Sequence, residues 1–280
     1  MHAFVRRPAN ALRGWSLIVW IYLSAAWNHL GWRWRMRRQR SQPNLVKGSM
    51  KTGMKQTLLF IRHGQSTWNA EHRLPGQLPG IELDDAGRRQ AARLADALSV
   101  LPISAIITSP LERARETAEI LAEARHLPLY YEPELMDTDV GHFAGRDYNE
   151  LRKSDEEWKA FVRNPAVAPP DVETFPQVQE RSLAAVERWR AKEGIGDYLA
   201  FVAHADVVKL LIAHYTGLDA AKAGAMFIDN ASVSIVELED EQRPKVVAIG
   251  WNPQPGWLKP PAPKVERQAE ESKQEEEQKA

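Results

Sequence analysis

Thr57-Leu58-Leu59-Phe60-Ile61-Arg62-His63-Gly64-Gln65-Ser66-Thr67-Trp68-Asn69 is the stretch that decides the fold. Its first five residues, four of them apolar, have the length and composition of a buried strand. The run stops at Arg-His-Gly, where the glycine lets the backbone turn sharply. In an open α/β sheet, ligands sit at the carboxyl ends of strands. An arginine beside a histidine there sets a fixed cation next to a nucleophilic imidazole, a pair suited to an anion such as phosphate. Short apolar strands often end in polar residues, so the pair gains meaning only from what converges on it.

Two further runs repeat the pattern. Ile103 to Thr108 is a short apolar strand that breaks at Ser109-Pro110. The helix after it begins Leu111-Glu112-Arg113-Ala114-Arg115-Glu116-Thr117-Ala118, and Pro110 suits its first turn. Arg113 and Arg115 therefore lie near a helix amino end, which favours anions. An ordinary solvated helix face accounts for Arg115 better than for Arg113. Tyr198 to Ala203 is the third run, ending in His204-Ala205-Asp206, and its helix, Val207 to Thr216, stops at Gly217.

The intervening chain is mostly helical. Asp84 caps a helix from Asp85 to about Ser99, with Ala91, Leu94, Ala95 and Leu98 on one face. Tyr130 to Gly145 is an acidic loop, Asp147 to Arg163 a helix, Asn164 to Pro176 a proline-rich extended loop, and Gln177 to Glu193 a helix. Asp219 opens another helix, and Ala231–Glu239 and Lys245–Trp251 read as closing strands. Alternation of strand and helix over 57–251 predicts one three-layer α/β/α sandwich with a mostly parallel central sheet. Carboxyl ends of parallel strands share one edge, so Arg62, His63, Arg113 and His204 can meet there beside the acidic loop. That is a constellation for phosphoryl chemistry. His72, His126 and His214 read as surface or packing residues, while His142, next to Gly141, reads as part of the rim.

Composition sets outer bounds. The chain has 280 residues with 37 basic and 37 acidic side chains. Nine of the basic and none of the acidic residues lie within 1–50, so the remainder carries 28 against 37. A mildly acidic body excludes broad nucleic-acid binding, which needs a basic face. Without cysteine there are no disulfides, thiolate metal sites or cysteine nucleophiles. No His-x-x-x-His spacing points to a metal. Residues 1–53 form a basic, Trp- and Arg-rich extension that reads either as a non-structural or mis-assigned start or as a membrane-associated segment over 15–32. The apolar stretch Trp15–Leu30 is short for a bilayer span. If it is an anchor, the heavier arginine load after it places the body in the cytoplasm. The folded domain is expected over 54–258, and the Pro/Glu/Lys/Gln-rich residues 259–280 read as a disordered tail.

With these residues assembled, the chain resembles the histidine phosphatase superfamily, the phosphoglycerate-mutase-like group, over roughly residues 55–252. Arg62-His63-Gly64 with Asn69 looks like the family's nucleophile motif. Ser109-Pro110-Leu111 leading to Arg113-Ala114 and Thr117-Ala118 is similar to its second phosphate-binding motif, and His204 matches its second histidine. The family's Leu-x-Glu-x-x-x-Gly pattern, which carries the proton donor, reads here Leu135-Met136-Asp137-Thr138-Asp139-Val140-Gly141. Asp137 thus takes that role, with Glu134 and Asp139 as lesser candidates.

Three departures surround the substrate rim: Phe143-Ala144-Gly145 stands for Trp-Glu-Gly, no Gly-Glu-Ser precedes the late helix, and Ala205 replaces a glycine after His204. The resemblance implies a nucleophilic His63, oxygen-binding by Arg62, Arg113 and His204, and substrate contacts at Asn69, Gly76 and Ala205. It implies no metal or other cofactor and a phosphorylated small molecule as substrate. A raised Asp137 pKa is expected from its neighbour Asp139. Phosphomonoester hydrolysis is favoured over a mutase, because mutases of the group carry a longer insertion than Asp147–Pro176. A non-catalytic phospholigand-binding module is the third reading.

Overall fold

Strand residues that alternate between two buried faces build the sheet. The computed structural model describes residues 55–239 and 242–254. The extension 1–53, with the membrane reading of 15–32, and the tail 259–280 lie outside the described residues. Among the described residues no helix is long and apolar enough to cross a membrane. The chain runs β1 (Lys55–Arg62), α1 (Thr67–Ala70), α2 (Asp85–Ala97), β2 (Ala105–Thr108), α3 (Glu112–Glu123), β3 (Leu129–Tyr131), α4 (Tyr148–Ser154) and α5 (Glu156–Arg163). It continues through α6 (Phe175–Arg190), β4 (Tyr198–Ala203), α7 (Ala205–Thr216), a 3-10 turn at Ala220–Ala225, β5 (Val233–Glu239) and β6 (Lys245–Trp251).

The strand order is β3-β2-β4-β1-β5-β6. The first four are mutually parallel, whereas β5 and β6 add antiparallel at one side. Leu58, Phe60, Ile107, Leu199 and Phe201 pack with α4 to α7 on one face. Leu59, Ile61, Ile106, Ala200 and Val202 pack with α2 and α3 on the other. Both faces of β1 and β4 are thus buried, which is why these strands read as continuous apolar runs. This is the expected three-layer sandwich. Phe60 illustrates the packing, its ring 5.7 Å from Phe201 and 5.8 Å from Tyr215. Truncating it to alanine costs about 3–5 kcal/mol by loss of burial and the cavity left behind.

Several local expectations are corrected. The acidic loop begins with β3, a strand too short to show an alternating period. The single helix expected over Asp147–Arg163 is two, because the Asp155 side chain accepts from the Trp158 amide and restarts the chain as α5. Pro110 precedes α3 rather than occupying its first turn, since Leu111 is the N-cap. The proline-rich loop ends earlier than expected. Thr174 caps α6 in a reciprocal box with Gln177, and Pro176 falls in the first turn.

Candidate active site

Three neighbouring strand ends form the floor of the site. In the sheet β1 lies beside β4 and β4 beside β2, with Arg62 paired to Ala203 and Thr108 to Val202. The ladder continues one residue beyond the strands: the His63 amide donates to the Ala203 carbonyl and the Ser109 amide to Val202. His63, His204 and the start of the β2–α3 turn are thereby set side by side. After His63 the backbone passes directly over the first turn of α2. A Cβ at Gly64 would lie 2.5 Å from the Gly87 carbonyl oxygen, so this approach requires glycine. The Gly64 amide donates to Thr117 Oγ1 (3.0 Å), whose hydroxyl donates to the Arg113 carbonyl (2.7 Å). Thr117 therefore ties the His63-Gly64 turn to α3.

The imidazole of His63 is held in one tautomer. Its Nδ1 lies 2.6 Å from the Gly64 carbonyl oxygen, which can only accept. Nδ1 therefore carries the proton and Nε2 keeps its lone pair. Burial, then the positive charges of Arg113 and Arg62, push the His63 pKa well below the ordinary value of 6.5. The ring is a neutral base facing cations.

His204 Nε2 lies 2.9 Å from Ser109 Oγ, which itself accepts from the Leu111 amide. The serine hydroxyl can give its own proton to Nε2, and in that tautomer the His204 proton sits on Nδ1. Burial and Arg113 lower the His204 pKa in the same way. In that tautomer even neutral His204 presents an N–H on the side of Asp137, whose Oδ2 is 3.6 Å from Nδ1. The two histidine rings meet edge to face with centroids 5.2 Å apart.

Arg113 is fully buried. Its Nη2 donates to the Gly76 carbonyl (2.8 Å) and to Asp137 Oδ2 (3.1 Å). Arg62 Nη1 donates to the Ile228 carbonyl (2.8 Å). Arg113 Nε and Nη1, Arg62 Nε and His204 Nδ1 are buried without a hydrogen-bond partner. Buried polar nitrogens are costly to leave unpaired, and these belong to the residues nearest His63, whose ring lies 5.2 Å from that of His204 and feels the charges of Arg113 and Arg62. Arg62, His63 and Asp137 line the cleft, while Arg113 and His204 lie buried beneath it. The first turn of α7 adds to this group, because its N-cap His204 makes no side-chain cap and leaves the amides there for an anion.

Asp137 reaches this centre from the loop after β3. Its pKa is raised, by desolvation first, against the pull of Arg113, with the negative charge of Asp206 adding to the rise. The expected cause, Asp139, is corrected: Asp139 Oδ1 instead accepts from the Gly141 amide. Neither Asp139 nor Glu134 lines the cleft. His142 also leaves the site, since its ring is half-exposed and lies 3.0 Å from Asp171 and 3.1 Å from Glu157. Asn69 Oδ1 accepts from the Ser66 amide and from Asn230, which orients its amide nitrogen as the free donor. Gly76 contributes its carbonyl to Arg113, and Ala205 lines the cleft at the start of α7. His72, read from sequence as uninvolved, lies on the rim.

The support for Asp137 was not visible in sequence. Arg181 on α6 donates to the carbonyls of Glu134 (2.7 Å), Met136 (2.8 Å) and Asp137 (2.9 Å), and is fixed by Glu173. Gln77 donates to the same Asp137 carbonyl. Glu173 also accepts from the Asp139 amide (2.9 Å). Before α6, where Gly-Glu-Ser is absent, stand Glu173 and the capping Thr174. The cleft holds about 580 Å³ and runs from His63 and Asp137 out to Tyr148, Val162 and Phe227.

Arg62, His63 and His204 at strand ends, Arg113 on α3 and Asp137 on a loop thus form one cluster of two histidines, two arginines and a carboxylate. Residues 58–252 match the model of the histidine phosphatase superfamily (branch 1), and the chain belongs to that family. It is 33% identical over 191 residues to a metal-independent phosphoserine phosphatase of Arabidopsis thaliana, covering 66% of this chain and 77% of the relative. It is 32% identical over 194 residues to the probable phosphoglycerate mutase GpmB of Shigella boydii, covering 69% and 88%. Among solved structures, a mycobacterial glucosyl-3-phosphoglycerate phosphatase complexed with VO3 superimposes with a TM-score of 0.62 at 26% identity. That match covers 70% of this chain and 99% of that one.

Proposed function

We propose that this protein hydrolyses phosphomonoesters without a metal, through a phosphohistidine on His63. The observation that carries the reading is the 2.6 Å contact of His63 Nδ1 with the Gly64 carbonyl, which frees Nε2 as a nucleophile. Nε2 attacks phosphorus in line as the bond to the leaving oxygen breaks, and Asp137 gives that oxygen its proton. Arg62, Arg113, His204 and the α7 amides hold the non-bridging oxygens, where charge grows in the transition state. Asp137, now a carboxylate, takes a proton from water. The water oxygen attacks phosphorus, the N–P bond returns its electrons to Nε2, and orthophosphate leaves.

A mutase would instead return the phosphoryl group to a second hydroxyl, as the name of the Shigella boydii relative suggests for that protein. A mutase intermediate with two phosphates needs a second cationic patch in the cleft. The outer cations here each face an acidic partner: Lys209 with Asp206 at 3.2 Å, and Arg73 with Glu71 at 3.6 Å. This favours hydrolysis. The test is incubation of the full chain with 3-phosphoglycerate and with p-nitrophenyl phosphate in chelator. Phosphate release lost in His63→Ala supports a phosphatase. Isomerisation of phosphoglycerate without phosphate release supports a mutase, and binding without turnover supports the module.

A further inference from the structure

The outer cleft has a chemistry unlike its floor. Trp68, Tyr148, Val162, Met226 and Phe227 line it. Phe227 is 69% exposed and Val162 53% exposed. Large apolar side chains left open inside a concave site, rather than scattered over a convex surface, are binding surface. Two cations, Arg73 and Lys209, and one histidine, His72, stand beside them, and both cations already have partners within the protein. The guanidinium of Arg73 lies 4.0 Å over the Trp68 ring and 3.6 Å from Glu71, besides its bond to Gly145. Lys209 is paired with Asp206. A second phosphate or a carboxylate on the substrate would have to compete with Asp206 for Lys209 and with Glu71 for Arg73.

We infer that the preferred substrates are phosphomonoesters of uncharged apolar or aromatic alcohols, with the organic group seated against Trp68, Tyr148 and Phe227, and that acidic phosphometabolites are poor ones. As a statement about turnover, this rests on the phosphatase reading above; as a statement about binding, it stands apart from it.

The test compares 2-phenylethyl phosphate with glycerol 3-phosphate and 3-phosphoglycerate on the full chain, since all three release an alkyl alcohol and differ chiefly in what surrounds it. The expected kcat/KM for 2-phenylethyl phosphate is about tenfold or more above the other two, in line with what an apolar pocket discriminates. Phe227→Ser and, separately, Val162→Ser should each lower that ratio about threefold or more through KM. Both side chains are largely exposed, so neither change removes core packing. In parallel, calorimetry measures 2-phenylethylphosphonate against phosphonoacetate, neither of which is hydrolysed. Equal or tighter binding of phosphonoacetate overturns the inference, as does a kcat/KM for 3-phosphoglycerate that matches the phenylethyl ester. If all three esters are inert while the phenylethylphosphonate preference holds, the hydrolase reading fails and the binding preference survives. If all three are hydrolysed at one rate, the reverse is true.

Discussion

The two ends of the cleft are built in opposite ways. At the inner end His63 is 3% exposed and His204 and Arg113 are wholly buried, with His63 and Arg113 held by backbone carbonyls and His204 by the Ser109 hydroxyl. At the outer end Phe227 and Val162 stand largely open on a turn and on α5. Arg62 and His63 are held by the β1–β4 ladder and its continuation, whereas the exposed outer side chains can change with little consequence for packing. Chemistry and substrate choice are therefore separable by mutation. The inner end should respond in rate, and the outer end in KM.

The largest effect that would test this separation is loss of the nucleophile. His63→Ala should lower phosphate release by at least ~10⁴-fold on every ester, with the circular dichroism spectrum unchanged; substantial residual turnover would break the comparison. Asp137→Asn comes next, at about 10²–10⁴-fold. The loss should be greater for alkyl esters than for p-nitrophenyl phosphate, whose leaving group departs without a proton, and equal losses on both would remove Asp137 from the acid role.

The pH dependence follows from the same residues. The raised Asp137 pKa keeps the acid protonated above the usual carboxyl range, and rate falls as pH rises through it. The lowered His63 pKa keeps the nucleophile neutral to well below 6.5, and rate falls as pH drops through it. The profile of kcat/KM should be a bell on the acidic side of neutrality, measured with a phosphonate-free buffer series. An optimum above neutrality would contradict the assignment.

Arg181→Ala should reduce kcat about ten- to a hundredfold by loosening the Asp137 loop. Since Arg181 acts through the position of the acid, it should also displace the descending limb of the pH profile. A smaller kcat with an unmoved limb would reduce Arg181 to a structural residue.

The smallest effect is on stability. The unfolded chain takes up protons near the ordinary histidine pKa, while native His63 and His204, with lowered values, do not. Stability contributed by these groups is thus present above 6.5 and is lost as pH falls toward their folded values, by at most ~1.4 kcal/mol per pH unit for each. Urea melts across that range should show this slope, reduced in His63→Ala.

What could be read in sequence was what lies along the chain. The apolar runs that form β1 and β4 are buried on both faces and needed no partner to be recognised. The residues at their ends, Arg62, His63 and His204, converge as parallel topology requires, and Arg113 joins them because α3 starts at the end of the neighbouring strand. Contacts between distant segments were not legible: nothing near Arg181 marks it as the clamp for a loop 44 residues earlier. Ser109 and Thr117 stood in a recognised motif, but their partners His204 and Gly64 come only from strand adjacency. His142 was misplaced because a glycine before it suggested a rim, when Asp171 and Glu157 hold it outside. The division of α4 from α5 turned on Asp155, a residue equally at home inside a solvated helix.

The most direct measurement is intact-mass analysis of the full chain after rapid mixing with substrate and quenching in base, where a phosphohistidine survives. The account predicts one added phosphoryl group mapping to His63, absent in His63→Ala and accumulating in Asp137→Asn, which lacks the base for the second step. Phosphate release with no phosphorylated protein at any time, together with turnover persisting in His63→Ala, would contradict it.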